Sequence, residues 1–257
     1  MKQFLAATKF SFKEQLANRF ALGLLVLFVP IVYWMYGAVT PNDAVPFRFQ
    51  PAGTFLSVNG HDLMYITTGL NVLALIIGFM FFHSAHKSLE FDKRLTRAGL
   101  GCLRFILAKI LALAVVTAIL SLYTLLILLI FWHSPHNIFV VWLSYWLISL
   151  VYGGFGLLLG MLLDSELAGF FIVIMFSQMD VFLQIPIDNP AANKTFLKFF
   201  PSYGAVQMSI AGGFTNNWAI KEALIGGSWA IVFLLIAFMI FYLRTRYRSS
   251  LKIIANN

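Results

Sequence analysis

The sequence is poor in charge, since only 11% of its 257 residues are Asp, Glu, Lys or Arg, whereas 60% are hydrophobic. Soluble domains carry about 25% charged residues, so this chain could not cover a water-soluble body of its size. Its single cysteine, Cys102, excludes an intrachain disulfide. The abundant apolar residues exclude disorder. Together with a mean hydropathy of +0.85, the composition indicates an integral membrane protein.

Several chemical motifs are also missing from the sequence. It has no G-x-x-x-x-G-K-[ST], so it cannot hold nucleotide phosphates in a P-loop, and it lacks H-E-x-x-H and G-x-S-x-G. The pairs His83/His86 and His133/His136 have a spacing that zinc could use, but neither has a neighbouring cysteine or a clear carboxylate ligand. We therefore expect no metal site, no cofactor and no enzymatic activity in this chain.

Six apolar stretches are long enough to cross a bilayer, which requires about 20 residues. They are Phe20–Val39, Leu63–Phe82, Phe105–Trp132, Ile138–Leu163, Leu167–Ile187 and Ala223–Leu243. The sequence thus predicts an all-α integral membrane protein with one domain, residues 1–257, in which residues 20–243 hold the six spans. Residues 1–19 precede the spans, and residues 244–257 form a tail.

The net charge of +8 comes from basic residues that gather on one side of the predicted spans, where fourteen of the 18 lie. These are Lys2, Lys9, Lys13, Arg19, Lys87, Lys93, Arg94, Arg97, Arg104, Lys109, Arg244, Arg246, Arg248 and Lys252. Cytoplasmic loops are enriched in Lys and Arg, so both termini are predicted to be cytoplasmic in a multi-pass plasma-membrane protein. The charge is then an orientation signal, and we expect no nucleic-acid partner.

Polar residues inside the predicted spans are candidates for a conduit. Span five carries Ser177, Gln178 and Asp180. A buried carboxylate in hydrocarbon is unfavourable, so Asp180 either lies on a polar pathway or marks an early end of the span at the outer interface. Span two carries a milder polar set: Tyr65, Thr67, Thr68 and Asn71. Such residues either bond neighbouring helices or contact a substrate.

The connection between spans two and three, residues 87–97, has charges of both signs interleaved with Leu89, Phe91 and Leu95. This pattern suits a short helix on the cytoplasmic surface, ended by the glycines that follow it. The alternative is an ordinary solvated loop. In span four, the spacing of Gly156 and Gly160 allows close approach of another helix, which is a packing motif first.

In layout, the whole chain resembles a permease subunit of an ABC transporter of the ABC-2 type. The charged stretch from Glu90 to Arg94 resembles the family's coupling helix, and Ala108-Lys109 resembles the Gly-Lys that enters span three. The segment from Phe199 to Met208 resembles the region of re-entrant outer helices between spans five and six. Residues 1–19 correspond to the family's N-terminal elbow helix.

The resemblance implies ATP-driven export of a drug, peptide or lipid-like substrate by two paired permeases. Separate P-loop ATPase subunits would bind the ATP and Mg²⁺. The residues that would dock on the ATPase are Glu90, Asp92, Lys93, Arg94 and Arg97. The residues that would line the substrate pathway are Tyr65, Thr68, Asn71, Ser177, Gln178 and Asp180. The alternative is a non-transporting immunity or sensor protein that sequesters a peptide through its outer segment and needs no ATPase.

Overall fold

The computed structural model of this protein describes residues 2–96, 101–133, 135–189, 192 and 194–254. These residues form a helical bundle with one small β-hairpin. The helices are α1 (Lys2–Ala17), α2 (Arg19–Val39), α3 (Gly60–Leu95), α4 (Cys102–Phe131), α5 (Ile138–Leu162), α6 (Glu166–Gln184), α7 (Tyr203–Phe214) and α8 (Ile220–Ile254). The strands are β1 (Ala44–Phe49) and β2 (Thr54–Asn59).

Six helices among the described residues are long and apolar enough to cross a membrane: α2, α3, α4, α5, α6 and α8. This confirms the prediction of a membrane protein with α-helical spans. The predicted and observed bounds agree within a few residues for five spans, although α8 continues past Arg244 into the tail. The second span is the exception.

Helix α3 is much longer than predicted, because it continues through the charged stretch to Leu95. Its 36 residues span about 54 Å, whereas a bilayer core is about 30 Å thick. No glycine or proline interrupts the helix between Phe79 and Leu95. The prediction of a separate surface helix was therefore wrong in its boundary. The charged stretch is helical, but it is the end of α3.

The core of the bundle is the crossing of α3 and α5, where glycines bring the two backbones together. A Cβ atom added at Gly156 would lie 2.2 Å from the carbonyl oxygen of Gly78 and 2.9 Å from the amide nitrogen of Phe82. At Gly160, an added Cβ would lie 2.5 Å from the carbonyl oxygen of Phe82. These contacts confirm the packing role predicted for the two glycines of α5.

The β-hairpin defines one side of the bundle, here called the hairpin side. Strands β1 and β2 pair antiparallel from Ala44–Asn59 to Phe49–Thr54, and Phe47 and Phe49 are buried. The sequence of residues 40–62, with Pro41, Pro46 and Pro51, predicts a loop on the outer side, whereas the structure forms the hairpin within it. The opposite side, here called the terminal side, holds α1, the end of α3 and the tight turn between α5 and α6.

Helix α7 also lies on the hairpin side, and it is too short to cross a membrane at 12 residues. It is buried from Tyr203 to Gly213 against α3, α5 and α8. An added Cβ at Gly204 would lie 2.2 Å from the carbonyl oxygen of Glu222, so α7 and α8 meet at backbone distance. A 3₁₀ segment, Thr195–Phe199, precedes α7, and Gln184 donates a hydrogen bond to the carbonyl oxygen of Leu197 at 3.0 Å.

Candidate functional site: a crevice and a terminal-side cavity

A crevice of about 130 Å³ lies between α2, α3 and α6, towards the hairpin side. It brings together three of the six residues predicted for the substrate pathway: Thr68, Asn71 and Gln178. Its other lining residues are Phe28, Val32, Met35, Tyr36, Val72, Leu75 and Phe182. The arrangement is an apolar cleft with polar groups from α3 and α6.

The polar groups from α3 form the floor of the crevice. Thr68 is 3% exposed and Asn71 is 8% exposed. Within the described part of the chain, neither Oγ1 of Thr68 nor Oδ1 of Asn71 has a hydrogen-bond partner. Gln178 reaches the floor from α6, where its Nε2 donates to the backbone carbonyl of Asn71 over a long 3.5 Å. Buried polar groups are normally hydrogen-bonded, so these two oxygens, on residues that line the crevice, are exceptions in this structure.

The other three predicted pathway residues, Tyr65, Ser177 and Asp180, lie outside the crevice. Tyr65 is on α3, where its ring stacks on Tyr33 with centroids 6.1 Å apart and meets His61 edge-on at 4.4 Å. Ser177 is buried on α6, and its hydroxyl donates to the carbonyl of Ile174 in the same helix at 3.2 Å. Both side chains contribute to helix packing in this structure.

Asp180 lies in a polar network that joins α5, α6 and α7. The hydroxyl of Tyr152 donates a hydrogen bond to one carboxylate oxygen of Asp180. Ser202, the residue that precedes α7, donates its backbone N–H to the same oxygen at 2.9 Å and its hydroxyl to the other oxygen at 2.7 Å. The carboxylate is 1% exposed and does not line the crevice. Asp180 was expected either on a polar pathway or at an early end of the span at the outer interface. In the structure it is instead a buried hydrogen-bond acceptor that links α5, α6 and the start of α7.

A second cavity, of about 490 Å³, opens on the terminal side. Its lining residues come from three regions, the end of α3, the α5–α6 turn and α8: His86, Leu89, Glu90, Lys93, Leu163, Asp164 and Arg244. Arg244 holds α8 to the turn, because its guanidinium donates to the carbonyl of Leu162 at 3.1 Å and lies 3.6 Å from the Asp164 carboxylate. The cavity therefore has a charged and mixed-sign lining.

The residues predicted to dock on an ATPase differ in how exposed their side chains are. Glu90 and Arg94 are exposed on α3, and the Glu90 side chain is 64% exposed. Lys93 is buried and pairs with Glu90 over 2.6 Å. Asp92 is also buried, and Arg97 lies outside the described residues. We call the exposed pair, Glu90 and Arg94, together with the terminal-side cavity, the shelf.

The burial of Asp92 is explained by an ion pair with Lys109 of α4. Ser88 bridges the two, since it donates to Asp92 at 2.8 Å and accepts from Lys109 at 2.9 Å. Glu14 of α1 lies 3.8 Å from Lys109 and accepts a hydrogen bond from Ser84. Asp92 thus ties α3 to α4 and, through Lys109 and Glu14, to α1.

The sequence analysis treats Lys109 as a charge that orients the chain and as part of the Ala108-Lys109 that resembles the family's Gly-Lys, and it gives neither Lys109 nor Glu14 an ion-pair partner. A signal was present, because Lys109 lies two turns inside an apolar helix. A cation at that depth requires an anionic partner. Asp92 and Glu14 are that partner.

The histidine pairs do not form metal clusters among the described residues, where no group of three or more His, Cys, Asp or Glu side chains comes together. His83 instead contacts Glu166 through Nδ1 at 2.8 Å, and His86 contacts the carbonyl oxygen of Leu163 at 3.1 Å. Both histidines join the end of α3 to the α5–α6 turn. They help to hold the walls of the terminal-side cavity.

No protein-family model matches this chain, and no curated protein matches it. The fold of the described residues is that of a membrane protein with α-helical candidate spans.

Proposed function

We propose that this chain is the membrane-spanning subunit of an ATP-driven exporter of the ABC-2 type, and that a separate P-loop ATPase docks on the shelf. The observation that carries the proposal is the continuity of α3. One unbroken helix holds the crevice residues Thr68 and Asn71 at one end and the shelf residues Glu90 and Arg94 at the other.

This continuity supplies a physical route for coupling. Along the helix axis, Asn71 and Glu90 are about 28 Å apart at 1.5 Å per residue. The helix continues unbroken through Gly78, which packs against α5 and α6, so a tilt at one end of α3 would reach the other end. An ATPase that moves the shelf would therefore also change the spacing of α3 from α2 and α6, and with it the crevice.

The charged residues at the shelf support the docking of a partner protein there. Exposed charges of both signs surround a cavity there, and complementary charges set the register of protein–protein contacts. Asp92 is buried in its ion pair with Lys109 and is left out of the proposed contact, whereas Lys93 lines the cavity of the shelf and pairs with Glu90. The docking set that we propose is therefore Glu90, Lys93, Arg94 and the undescribed Arg97.

The remaining family features form part of the same proposal. Helix α1 would be the elbow on the cytoplasmic surface, and α7 with its preceding 3₁₀ segment would be the re-entrant outer helices. The exposed apolar side chains of α2 and α6 that flank the crevice would face lipid, for example Leu27, Trp34, Phe171 and Met179. A second permease copy would pair with another face of the chain within the plasma membrane. Both termini would be cytoplasmic.

The test is affinity purification of the tagged full-length chain from its native membranes in mild detergent, with mass spectrometry of the proteins that accompany it. We expect a stoichiometric P-loop ATPase with the parent chain, and its loss with Arg94→Glu. The matched control is Arg48→Glu, because Arg48 is an exposed arginine on β1 at the hairpin side.

A homo-oligomer without an ATPase, obtained in several detergents, would contradict the proposal and favour the immunity or sensor protein. Equal loss of the ATPase with Arg94→Glu and Arg48→Glu would contradict docking at the shelf.

A further inference from the structure

We infer that the crevice binds the hydroxyl or amide N–H group of an uncharged amphiphile, and that it selects against amphiphiles with a charged head. That this amphiphile is the transported substrate rests on the proposed function. That it binds in the crevice rests on the chemistry of the lining residues alone.

The floor of the crevice calls for a hydrogen-bond donor. Asn71 Oδ1 is an acceptor, and it is buried without a partner among the described residues. Thr68 Oγ1, one helical turn away on α3, is likewise unpartnered and can accept or donate. Thr67 beside it shows the contrast, since its hydroxyl donates to the carbonyl of Leu63 at 2.8 Å. A ligand hydroxyl or amide N–H can donate a hydrogen bond to one of these oxygens.

The mouth of the crevice fits an apolar chain. Phe28 and Met35 on α2 and Phe182 on α6 are each between a third and a half exposed, whereas the floor residues are buried. The crevice therefore opens sideways between α2 and α6, towards the surface that faces lipid. A ligand that enters from the bilayer would place its apolar part at this mouth and its polar group on the floor.

The lining also disfavours a charged head group. Among the described residues that line the crevice, none carries a charge. Burial of an ionised group without a partner is strongly unfavourable, and that applies to a phosphate, a sulfate or an ammonium.

The test uses photoreactive octyl probes that share one diazirine-bearing chain and differ only in the head group. The four head groups are a hydroxyl, a methyl ether, an ammonium and a sulfate. The full-length chain is reconstituted in lipid nanodiscs, labelled with each probe, and mapped by peptide mass spectrometry. We expect the hydroxyl probe to label crevice residues of α2 and α6 about three- to tenfold more than the ether probe, which is the range of one hydrogen bond.

Two variants and one matched control locate the contact. Thr68→Val and Asn71→Leu keep the side-chain shape and remove the floor oxygens, and each should reduce crevice labelling by the hydroxyl probe about three- to tenfold. Thr67→Val removes a neighbouring buried hydroxyl that does not line the crevice, and it should leave labelling unchanged. Thermal unfolding of each variant in the same nanodiscs verifies that it is folded.

Equal crevice labelling by the hydroxyl and ether probes would overturn the inference, and so would stronger labelling by either charged probe. Hydroxyl labelling that survives both Thr68→Val and Asn71→Leu would overturn it as well. The outcome is separable from the proposed function. The expected labelling in a chain that captures no ATPase would support the ligand class and contradict the exporter. Equal labelling by the hydroxyl and ether probes in a chain that captures the ATPase would support the exporter and contradict the ligand class.

Discussion

The buried ion pair of Lys109 gives the sharpest prediction about stability. Lys109 is 6% exposed and Asp92 is 1% exposed, and the two side chains are in direct contact. Substitution Lys109→Met keeps the length of the apolar stem but leaves the carboxylates of Asp92 and Glu14 without their cation. Removing one partner of a buried ion pair lowers the free energy of unfolding by about 3–5 kcal/mol, and we expect that loss here.

The distance of 3.8 Å from Lys109 to Glu14 supports this magnitude. Two unit charges about 4 Å apart interact by about 4 kcal/mol at an effective dielectric constant of 20. The double variant Lys109→Met/Asp92→Leu removes both partners of the main pair. We therefore expect its loss to be smaller than the sum of the two single losses, since contacting residues are energetically coupled.

The assay is SDS-induced unfolding of the purified full-length chain in mixed micelles, followed by circular dichroism. The matched control is Lys87→Met, an exposed lysine on α3, which should change the free energy of unfolding by less than about 0.5 kcal/mol. If Lys109→Met and Lys87→Met have the same effect, the buried ion pair does not hold α1, α3 and α4 together, and the reasoning is wrong.

Two further predictions use the same unfolding assay. Gly156→Ala places a Cβ atom 2.2 Å from the backbone of Gly78, so it should destabilise the chain by about 1–3 kcal/mol. Gly23→Ala, with nothing within 4 Å of the added atom, should have little effect, and equal effects would contradict the close α3–α5 crossing. Asp180→Asn removes the charge that accepts from Tyr152 and Ser202, so a loss of about 1.5–3 kcal/mol is expected. Ser177→Ala is its control, because that hydroxyl bonds only within α6 in the described structure, and a larger loss for Ser177→Ala would refute the network.

The spans were predictable from the sequence because their signal is local. A run of about 20 apolar residues indicates a membrane-spanning helix and its length, and the glycine spacing in α5 indicates close contact with another helix. The end of α3 is harder to predict, since a change from apolar to charged residues marks the end of the apolar span but not the end of the helix. The backbone does not respond to that change when no glycine or proline is present.

The partners of polar residues could not be predicted, because they are contacts between helices distant in sequence. Asp180 meets Ser202 across 22 positions, and Glu14 meets Ser84 across 70. The hairpin left a weaker local signal, in which Val45, Phe47 and Phe49 alternate with more exposed residues along β1. Its prolines concealed that alternation, since proline within a run argues against a strand.

The most direct test of the proposed function is site-specific photo-crosslinking at the shelf in intact cells. Phe91, next to Glu90 on α3, is 48% exposed and can be replaced by benzoyl-phenylalanine, another aromatic side chain. Phe55 on β2, which is 80% exposed at the hairpin side, provides the control position. The exporter account predicts a crosslink from position 91 to a P-loop ATPase and none from position 55. A crosslink from position 91 only to a second copy of this chain, or to no protein, would contradict it.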